Sequence, residues 1–104
     1  MEIKIYNESL EKFIYSLEKA TVAKILRTIN LLEKFGRDLK TPHAKKISGG
    51  LFELRIRGKQ EIRIFYTFFN SDIVLLHGFI KKSQTIPAKE IKIAKQRQQS
   101  LTSI

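Results

Sequence analysis

The sequence predicts an α+β fold: a small antiparallel sheet, mixed at its N-terminal strand, with a helical hairpin on one face and a basic C-terminal helix. Apolar residues recur at helical spacing over residues 10–35, at alternate positions over residues 45–81, and at helical spacing again after Pro87. With 104 residues and 42% hydrophobic side chains, the chain can bury one compact core. We therefore expect a single domain over residues 1–104.

The N-terminal part predicts a short strand followed by two helices. Ile3 and Ile5 alternate with polar residues, and Asn7 is a good N-cap for the first helix. Thr21 is the predicted N-cap of the second helix, and Gly36 lies where a helix C-terminus favours glycine. The short connection between the helices predicts a hairpin. The two apolar stripes are Leu10, Phe13, Ile14 and Leu17, then Val22, Ile25, Leu26, Ile29, Leu32 and Phe35.

The second half predicts strands and a final helix. After a loop over residues 37–43, alternating patterns predict strands at residues 45–47, 51–57, 61–69 and 72–81, separated by turns. The run IVLLHGFI within the last of these is apolar on both faces, which favours a central strand covered on both sides, with Leu75, His77 and Phe79 alternating together. Residues 88–99 predict a helix that packs through Ile91 and Ala94 and exposes three evenly spaced lysines. These are Lys89, Lys92 and Lys95.

The charge is large and unevenly distributed. Twenty Lys and Arg against ten Asp and Glu give a net charge of +10, of which residues 1–36 carry +1 and residues 37–104 carry +9. Such a charge favours a polyanionic partner, which could be nucleic acid, an acidic protein or an anionic membrane surface. The alternative is a soluble domain that is merely basic. The distribution places the working surface in the second half and fits a membrane poorly.

Several classes of chemistry are disfavoured by composition. The absence of Cys excludes a disulfide framework, a thiolate zinc site and a Cys nucleophile. His43 and His77 are too far apart in sequence for a metal-binding pair, and His43 lies in a loop with no partner nearby in sequence. We therefore expect no metal site. No stretch reaches the ~18 apolar residues that a membrane span requires, so we expect a cytoplasmic protein.

The polar face of the predicted sheet is mostly cationic. Arg55, Arg63 and Lys81 could converge from neighbouring strands and, with Lys82 and the basic helix, form a cradle for phosphates. Arg57 extends the same face. Like charges on adjacent strands are destabilising, which indicates a missing anion, although a solvated basic face is the simpler alternative. Nearby aromatic residues could stack on RNA bases, but most of them must belong to the core. These are Phe65, Tyr66, Phe68 and Phe79.

A nuclease with this composition would use the RNA's own 2′-hydroxyl as the nucleophile. Arg and Lys would stabilise the charge that develops on the phosphate. Glu53 could act as a base or orient Arg55, and we favour orientation. His77 lies in an apolar run, where a rim or core histidine is a more common finding than a catalytic acid or base. Tyr66 is a candidate for stacking or proton relay.

Four blocks of the second half resemble the RelE/ParE toxin superfamily, in particular the HigB-like, phage-derived branch of type II toxin-antitoxin systems. The blocks are SGGLFELRI (48–56), EIRIFY (61–66), VLLHGFIKKS (74–83) and IPAKEIKIAKQR (86–97). The resemblance also covers the N-terminal strand and helical hairpin. It implies a RelE-like fold and a toxin that cleaves mRNA on the ribosome without metal or cofactor. By motif, the family's basic positions fall on Arg55, Arg63, Lys81 and Lys82.

The resemblance also implies partners and alternatives. A small helix-turn-helix antitoxin is expected to neutralise the toxin and to connect it to operator DNA, with an acidic segment covering the basic surface. Some relatives poison DNA gyrase instead, so a gyrase-directed toxin is the second hypothesis. Many RNA-cleaving relatives carry a Tyr or His near the C-terminus, whereas none follows His77 here. This departure leaves the proton donor and acceptor open and supports a third hypothesis, a non-catalytic module that binds nucleic acid or antitoxin.

Overall fold

Five strands form one mixed sheet with helices on both of its faces. The computed structural model describes residues 1–102. The elements are β1 (Ile3–Ile5), α1 (Glu8–Tyr15), α2 (Lys19–Phe35), a 3-10 turn (Gly36–Asp38), β2 (Ala44–Ser48), β3 (Leu51–Ile56), β4 (Ile62–Phe69), β5 (Asp72–Ile80) and α3 (Ala88–Thr102). The strand order is β1-β5-β4-β3-β2, with β1 parallel to β5 and the other neighbours antiparallel. The predicted fold class is confirmed.

The ends of the two N-terminal helices follow from local hydrogen bonding. The Asn7 side chain accepts a hydrogen bond from the Leu10 amide at 2.9 Å, which confirms the predicted N-cap. Gly36 ends α2 with a φ of 52°, also as predicted. The prediction for Thr21 is wrong, because α2 already begins at Lys19. The buried Thr21 hydroxyl instead donates to Gln60 Oε1 at 3.0 Å, which ties α2 to the turn before β4.

One core lies between the sheet and the pair α1 and α2. Leu10 and Ile14 of α1 and Ile25 and Leu32 of α2 are buried against alternate residues of β3, β4 and β5. The buried stripe of α2 is Thr21, Ile25, Thr28 and Leu32, with spacings of four, three and four residues. The predicted stripe was therefore too wide. Leu26 and Phe35 remain 39% and 47% exposed because threonines fill the positions beside the sheet.

A second core lies between the opposite face of the sheet and α3. Ala94 of α3 is fully buried there, and Ile91 packs beside it, as predicted. The β5 strand is covered on both faces, which confirms that part of the prediction. The central strand of the sheet, however, is β4 and not β5. Strands β5 and β1 lie on one side of β4, and strands β3 and β2 lie on the other. Within residues 1–102, no helix has both the length and the apolar character needed to cross a membrane.

A register shift changes the faces of β5 near its middle. Phe65 pairs with His77 and Tyr66 pairs with Leu75, so Leu76 falls between the two pairs. Leu75 belongs to the core under α1 and α2, whereas Leu76 lies under α3 and His77 contacts Glu90 of α3. The prediction that Leu75 shares a face with His77 and Phe79 is therefore wrong. Two successive residues, Leu76 and His77, are turned toward α3 instead.

Candidate functional site

An open cleft of about 850 Å³ lies beside α3, where β3 and β5 end and β4 begins. Its walls come from the sheet, from the segment after β5 and from Ile91 of α3. Cations outnumber carboxylates along these walls. The cationic residues are Lys45, Arg55, Arg57, Arg63, Lys81 and Lys82, and the acidic residues are Glu53 and Glu61. The cleft thus collects all four basic residues that the sequence predicted as catalytic.

Two arginines face each other at the centre of the cleft. Arg55 of β3 lies directly opposite Arg63 of β4 in the strand register, a pairing that is unfavourable for like charges. One carboxylate stands between them: Glu53 Oε1 lies 2.7 Å from Arg55 Nε and 3.8 Å from Arg63 Nε. The Glu53 side chain is 1% exposed. It holds Arg55 in place, which agrees with the orienting contact expected from the sequence.

The two arginines differ in accessibility. The Arg63 side chain is only 4% exposed, and its Nη1 donates to Glu61 Oε2 at 2.9 Å and to the Ile62 carbonyl at 3.2 Å. The Arg55 side chain is 20% exposed, and Arg57 is exposed. Arg63 thus forms the floor of the cleft, while Arg55 and Arg57 can reach a ligand directly.

The floor of the cleft is incompletely hydrogen-bonded. Among the buried polar side-chain atoms of residues 1–102, Glu53 Oε2 and Arg63 Nε have no hydrogen-bond partner. Buried polar groups normally find partners, and leaving one without costs about 1–3 kcal/mol. Both atoms belong to the Glu53–Arg63 pair, so the two unpaired groups lie together at the floor of the cleft.

Lys81 and Lys82 have different surroundings. The Lys81 ammonium donates to the Ser83 carbonyl at 2.7 Å and to the Gln84 carbonyl at 3.1 Å, and its amide donates to the Glu61 carbonyl. Lys81 therefore shapes the wall of the cleft. Lys82 is exposed at the rim. Of the predicted pair, Lys82 has its ammonium more available to a ligand.

Tyr66 and His77 lie away from the cleft. The Tyr66 side chain is 1% exposed in the core under α1 and α2 and stacks on Phe52, and burial raises the pKa of Tyr66 to about 12. Stacking on a base or relaying a proton in the cleft is incompatible with this position, so that prediction is wrong. His77 Nε2 lies 2.9 Å from Glu90 Oε1 on α3, and both side chains are 15% exposed. His77 thus joins β5 to α3.

The lysines of α3 form a separate strip of charge. Lys89, Lys92 and Lys95 are exposed along the helix but do not line the cleft, which receives only Ile91 from α3. Their binding to nucleic acid stays a prediction. His43 is exposed in the loop before β2, and its carbonyl accepts a hydrogen bond from the Arg55 amide at 2.8 Å.

Two charged residues of the cleft were missed in the sequence, Glu61 and Lys45. The Glu61 side chain is 36% exposed, which makes it the more accessible carboxylate of the cleft. A sequence signal for it exists: the pattern Glu-x-Arg occurs twice, at Glu53 to Arg55 and at Glu61 to Arg63. Residues two apart in a strand point to the same face, so each Glu accompanies its Arg. Lys45 is found only from the register, which places it opposite Glu53.

Comparison with known proteins assigns the chain to a family. The family model described as phage-derived protein Gp49-like matches residues 12–99, a range that contains every residue of the cleft. This family is associated with RelE-like toxins of type II toxin-antitoxin modules. No curated protein matches the chain. Because the match covers most of the chain, the protein belongs to the family of phage-derived Gp49-like proteins.

Proposed function

We propose that this protein is the toxin of a type II toxin-antitoxin system and cleaves mRNA on the ribosome without a metal ion, as members of the HigB-like branch do. The family assignment and the resemblance of the four sequence blocks support a toxin. One observation carries the activity: Arg55 and Arg63 face each other over a single carboxylate in an open cleft. An RNA phosphate is the anion that this arrangement would accept.

The charge balance of the cleft favours a polyanion. Six cationic side chains surround two carboxylates, so the empty cleft holds like charges close together. A phosphate beside Arg55 and Arg57 would relieve this repulsion and form charge-assisted hydrogen bonds to planar guanidinium groups. The cleft is open to solvent, so it suits a chain of nucleotides better than an enclosed small molecule.

The proposed reaction is a transesterification within the RNA. The 2′-oxygen attacks the adjacent phosphorus, the bond from phosphorus to O5′ breaks, and the products are a 2′,3′-cyclic phosphate and a 5′-hydroxyl. Glu61 accepts the proton of the 2′-hydroxyl, and the leaving O5′ takes a proton from Lys82. Arg55 and Arg57 stabilise the charge on the phosphate oxygens. Arg63 is a positioning residue, because its Nη1 holds Glu61 Oε2 at 2.9 Å.

The partners of the proposed toxin follow from the same surface. The cationic cleft and the lysine strip of α3 suit an acidic segment of a cognate antitoxin, expected to be a small helix-turn-helix protein that brings the complex to operator DNA. Electrostatic attraction would speed this association and weaken as salt is added.

A second candidate function has two observations in its favour. Neither a His nor a Tyr side chain lines the cleft within the described part of the chain, and both Lys81 and Arg63 are engaged in internal hydrogen bonds. These features suit a module that binds nucleic acid without cleaving it. The two functions differ in a single measurable step, the breaking of the phosphodiester bond.

Induced expression followed by mapping of mRNA 5′ ends tests the proposal. We expect the unmodified protein to arrest growth and to create new 5′ ends within translated mRNA. Arg55→Ala should slow cleavage by about 10²-fold, since it removes a donor to the developing charge. Lys34→Ala, which removes an exposed cation of α2 outside the cleft, is the matched control.

The other outcomes separate the alternatives. A DNA-damage response with uncut mRNA would identify a gyrase-directed toxin, and RNA binding without new 5′ ends would identify the non-catalytic module. Glu61→Gln should retain RNA binding and lose cleavage. Full cleavage by a folded Glu61→Gln variant would remove Glu61 from the mechanism.

A further inference from the structure

We infer that a second pocket, next to the cleft, binds one nucleotide of the RNA strand where that strand leaves the cleft. This flanking pocket has a volume of about 240 Å³ and lies between α2, the loop before β2 and the end of β3. Its lining includes three cations, Lys24, Arg27 and Arg57, and three apolar residues, Leu31, Pro42 and Ile56. The inference rests on the proposed function, because it assigns a subsite for the same RNA.

The flanking pocket is amphipathic. Its floor is apolar: Ile56 is buried in the core, Leu31 is half-buried, and Pro42 contributes a rigid ring. The cations Arg27 and Arg57 are exposed at its rim. No carboxylate lines it in the described part of the chain. A ligand that matches such a pocket carries a flat apolar group next to an anion, which is the chemistry of a nucleotide.

The flanking pocket continues the cleft without an acidic barrier. Arg55 and Arg57 line both cavities, so they form the shared wall between them. A strand whose phosphate lies on Arg55 in the cleft would pass over Arg57 and reach Arg27 on α2. This path extends the basic surface onto the helical hairpin, although residues 1–36 carry a net charge of only +1.

Hydrogen bonds hold the walls of the flanking pocket in position. The Lys24 ammonium donates to the Arg57 carbonyl at 3.1 Å, which fixes α2 to the end of β3. The Lys24 ammonium also lies close to Gly58, where a Cβ atom would be 2.7 Å from Lys24 Nζ. On the other side, the Arg55 amide donates to the His43 carbonyl and holds the loop that carries Pro42. The pocket is therefore formed before a ligand arrives, which lowers the entropic cost of binding.

A nucleotide fits these features better than an acidic peptide does. Unpaired bases stack on guanidinium planes and apolar surfaces, and single-stranded RNA presents such bases. An acidic peptide would use the cations but would leave the apolar floor without a partner. An acidic peptide is therefore the competing occupant in the test.

The test compares Arg27→Gln with Lys4→Gln. Arg27 is exposed on α2, and Lys4 is exposed on β1, at the sheet edge far from the flanking pocket, so each variant removes one surface charge. The probes are a 2′-O-methyl tetranucleotide, which is short enough to lie within the cleft, and a 2′-O-methyl decanucleotide, which can extend beyond it. Binding is measured by fluorescence anisotropy between about 50 and 200 mM salt. Thermal melting checks that both variants are folded.

We expect Arg27→Gln to weaken decanucleotide binding about fivefold and to leave tetranucleotide binding unchanged. The plot of log affinity against log salt has a negative slope, and loss of one phosphate contact should reduce the magnitude of this slope by about 0.7. Lys4→Gln should change neither probe.

Three results would overturn the inference. If Arg27→Gln and Lys4→Gln bind the decanucleotide equally while Arg55→Ala does not bind it, the flanking pocket is no subsite and the proposed function stands. If Arg27→Gln weakens polyglutamate binding but not RNA binding, the pocket serves an acidic protein. If the unmodified protein binds neither RNA probe, the inference fails together with the RNA-directed function.

Discussion

At the centre of the cleft, a single carboxylate separates two guanidinium groups. Glu53 is buried and reaches both Arg55 and Arg63, which oppose each other in the strand register. Burying three charges is costly, and only their mutual attraction repays it. Truncating Glu53 would remove the attraction and leave the repulsion between the two arginines. Within residues 1–102, Glu53 is therefore the one carboxylate that reaches both arginines, while Glu61 contacts Arg63 alone.

We predict that Glu53→Ala lowers the free energy of unfolding by about 3 kcal/mol, because breaking a buried ion pair leaves uncompensated charge. Urea denaturation measures this loss. Glu2→Ala is the control, since Glu2 pairs with Lys4 in an exposed position where ion pairs contribute less than about 1 kcal/mol. A loss below about 0.5 kcal/mol for Glu53→Ala would show that the arginines do not need the carboxylate.

Alternation along a strand made some residues of the cleft predictable. Glu53 and Arg55 share a face because they are two residues apart in an unbroken strand. The same rule excludes Tyr66, which is three residues from Arg63 and so points to the opposite face. The depth of Arg63 could not be predicted, since it depends on how the segment after β5 and α3 close over the sheet. Glu61 was missed because its Glu-x-Arg pattern with Arg63 stands out only when it is compared with the same pattern in β3, at Glu53 and Arg55.

Helix α3 is the element that covers the face of the sheet opposite α1 and α2. It packs on the sheet through Ile91 and the fully buried Ala94, while its lysines remain exposed. Polar contacts supplement this seam: Arg97 Nη1 donates to the Leu76 carbonyl at 2.7 Å, and His77 contacts Glu90. The small size of Ala94 sets the distance between α3 and the sheet, and hence the wall of the cleft at Ile91.

We predict that Ala94→Leu destabilises the protein by about 2 kcal/mol, because added methylenes in a filled core force neighbouring groups apart. The shift of the urea midpoint reports this effect. Lys95→Leu is the matched control, because it places the same side chain on the exposed face of α3. Equal midpoints for the two variants would mean that α3 moves freely on the sheet.

The sequence patterns located every helix and strand but not the rotation of each one. In α2, hydrophobicity alone pointed to Leu26 and Phe35 as core residues, whereas Thr21 and Thr28 occupy the buried positions. A threonine can be buried in a helix when its hydroxyl finds a partner, as Thr28 does at the Lys24 carbonyl. In β5, the register shift at Leu76 turns His77 toward α3, and neighbouring strands determine such shifts.

For the molecule as a whole, the charge of +10 opposes the compact state. Residues 37–104 carry +9 of it, and the cleft concentrates six cations around two carboxylates. Self-repulsion of this kind lowers stability, and dissolved ions screen it. The isolated protein is therefore expected to be less stable than its complex with any polyanion.

We predict that raising sodium chloride from about 20 to 200 mM increases the free energy of unfolding by on the order of 1 kcal/mol. This magnitude corresponds to the repulsion between one pair of like charges about 4 Å apart in water, which the added salt screens. Urea titrations at both salt concentrations measure this gain. Lys82→Glu, which replaces an exposed cation of the cleft with an anion, should show a smaller gain. An equal gain in both proteins would mean that repulsion in the cleft does not limit stability.

The two Glu-x-Arg patterns are related by a local twofold axis. Because β3 and β4 are antiparallel and Arg55 opposes Arg63, a rotation of 180° between the strands exchanges these arginines and also exchanges Glu53 with Glu61. Burial breaks this symmetry: the Glu53 side chain, opposite Phe65 and beside β2, is 1% exposed, while that of Glu61, just before β4, is 36% exposed. Two equivalent sequence positions thus yield one carboxylate that holds the cleft together and one that solvent can reach.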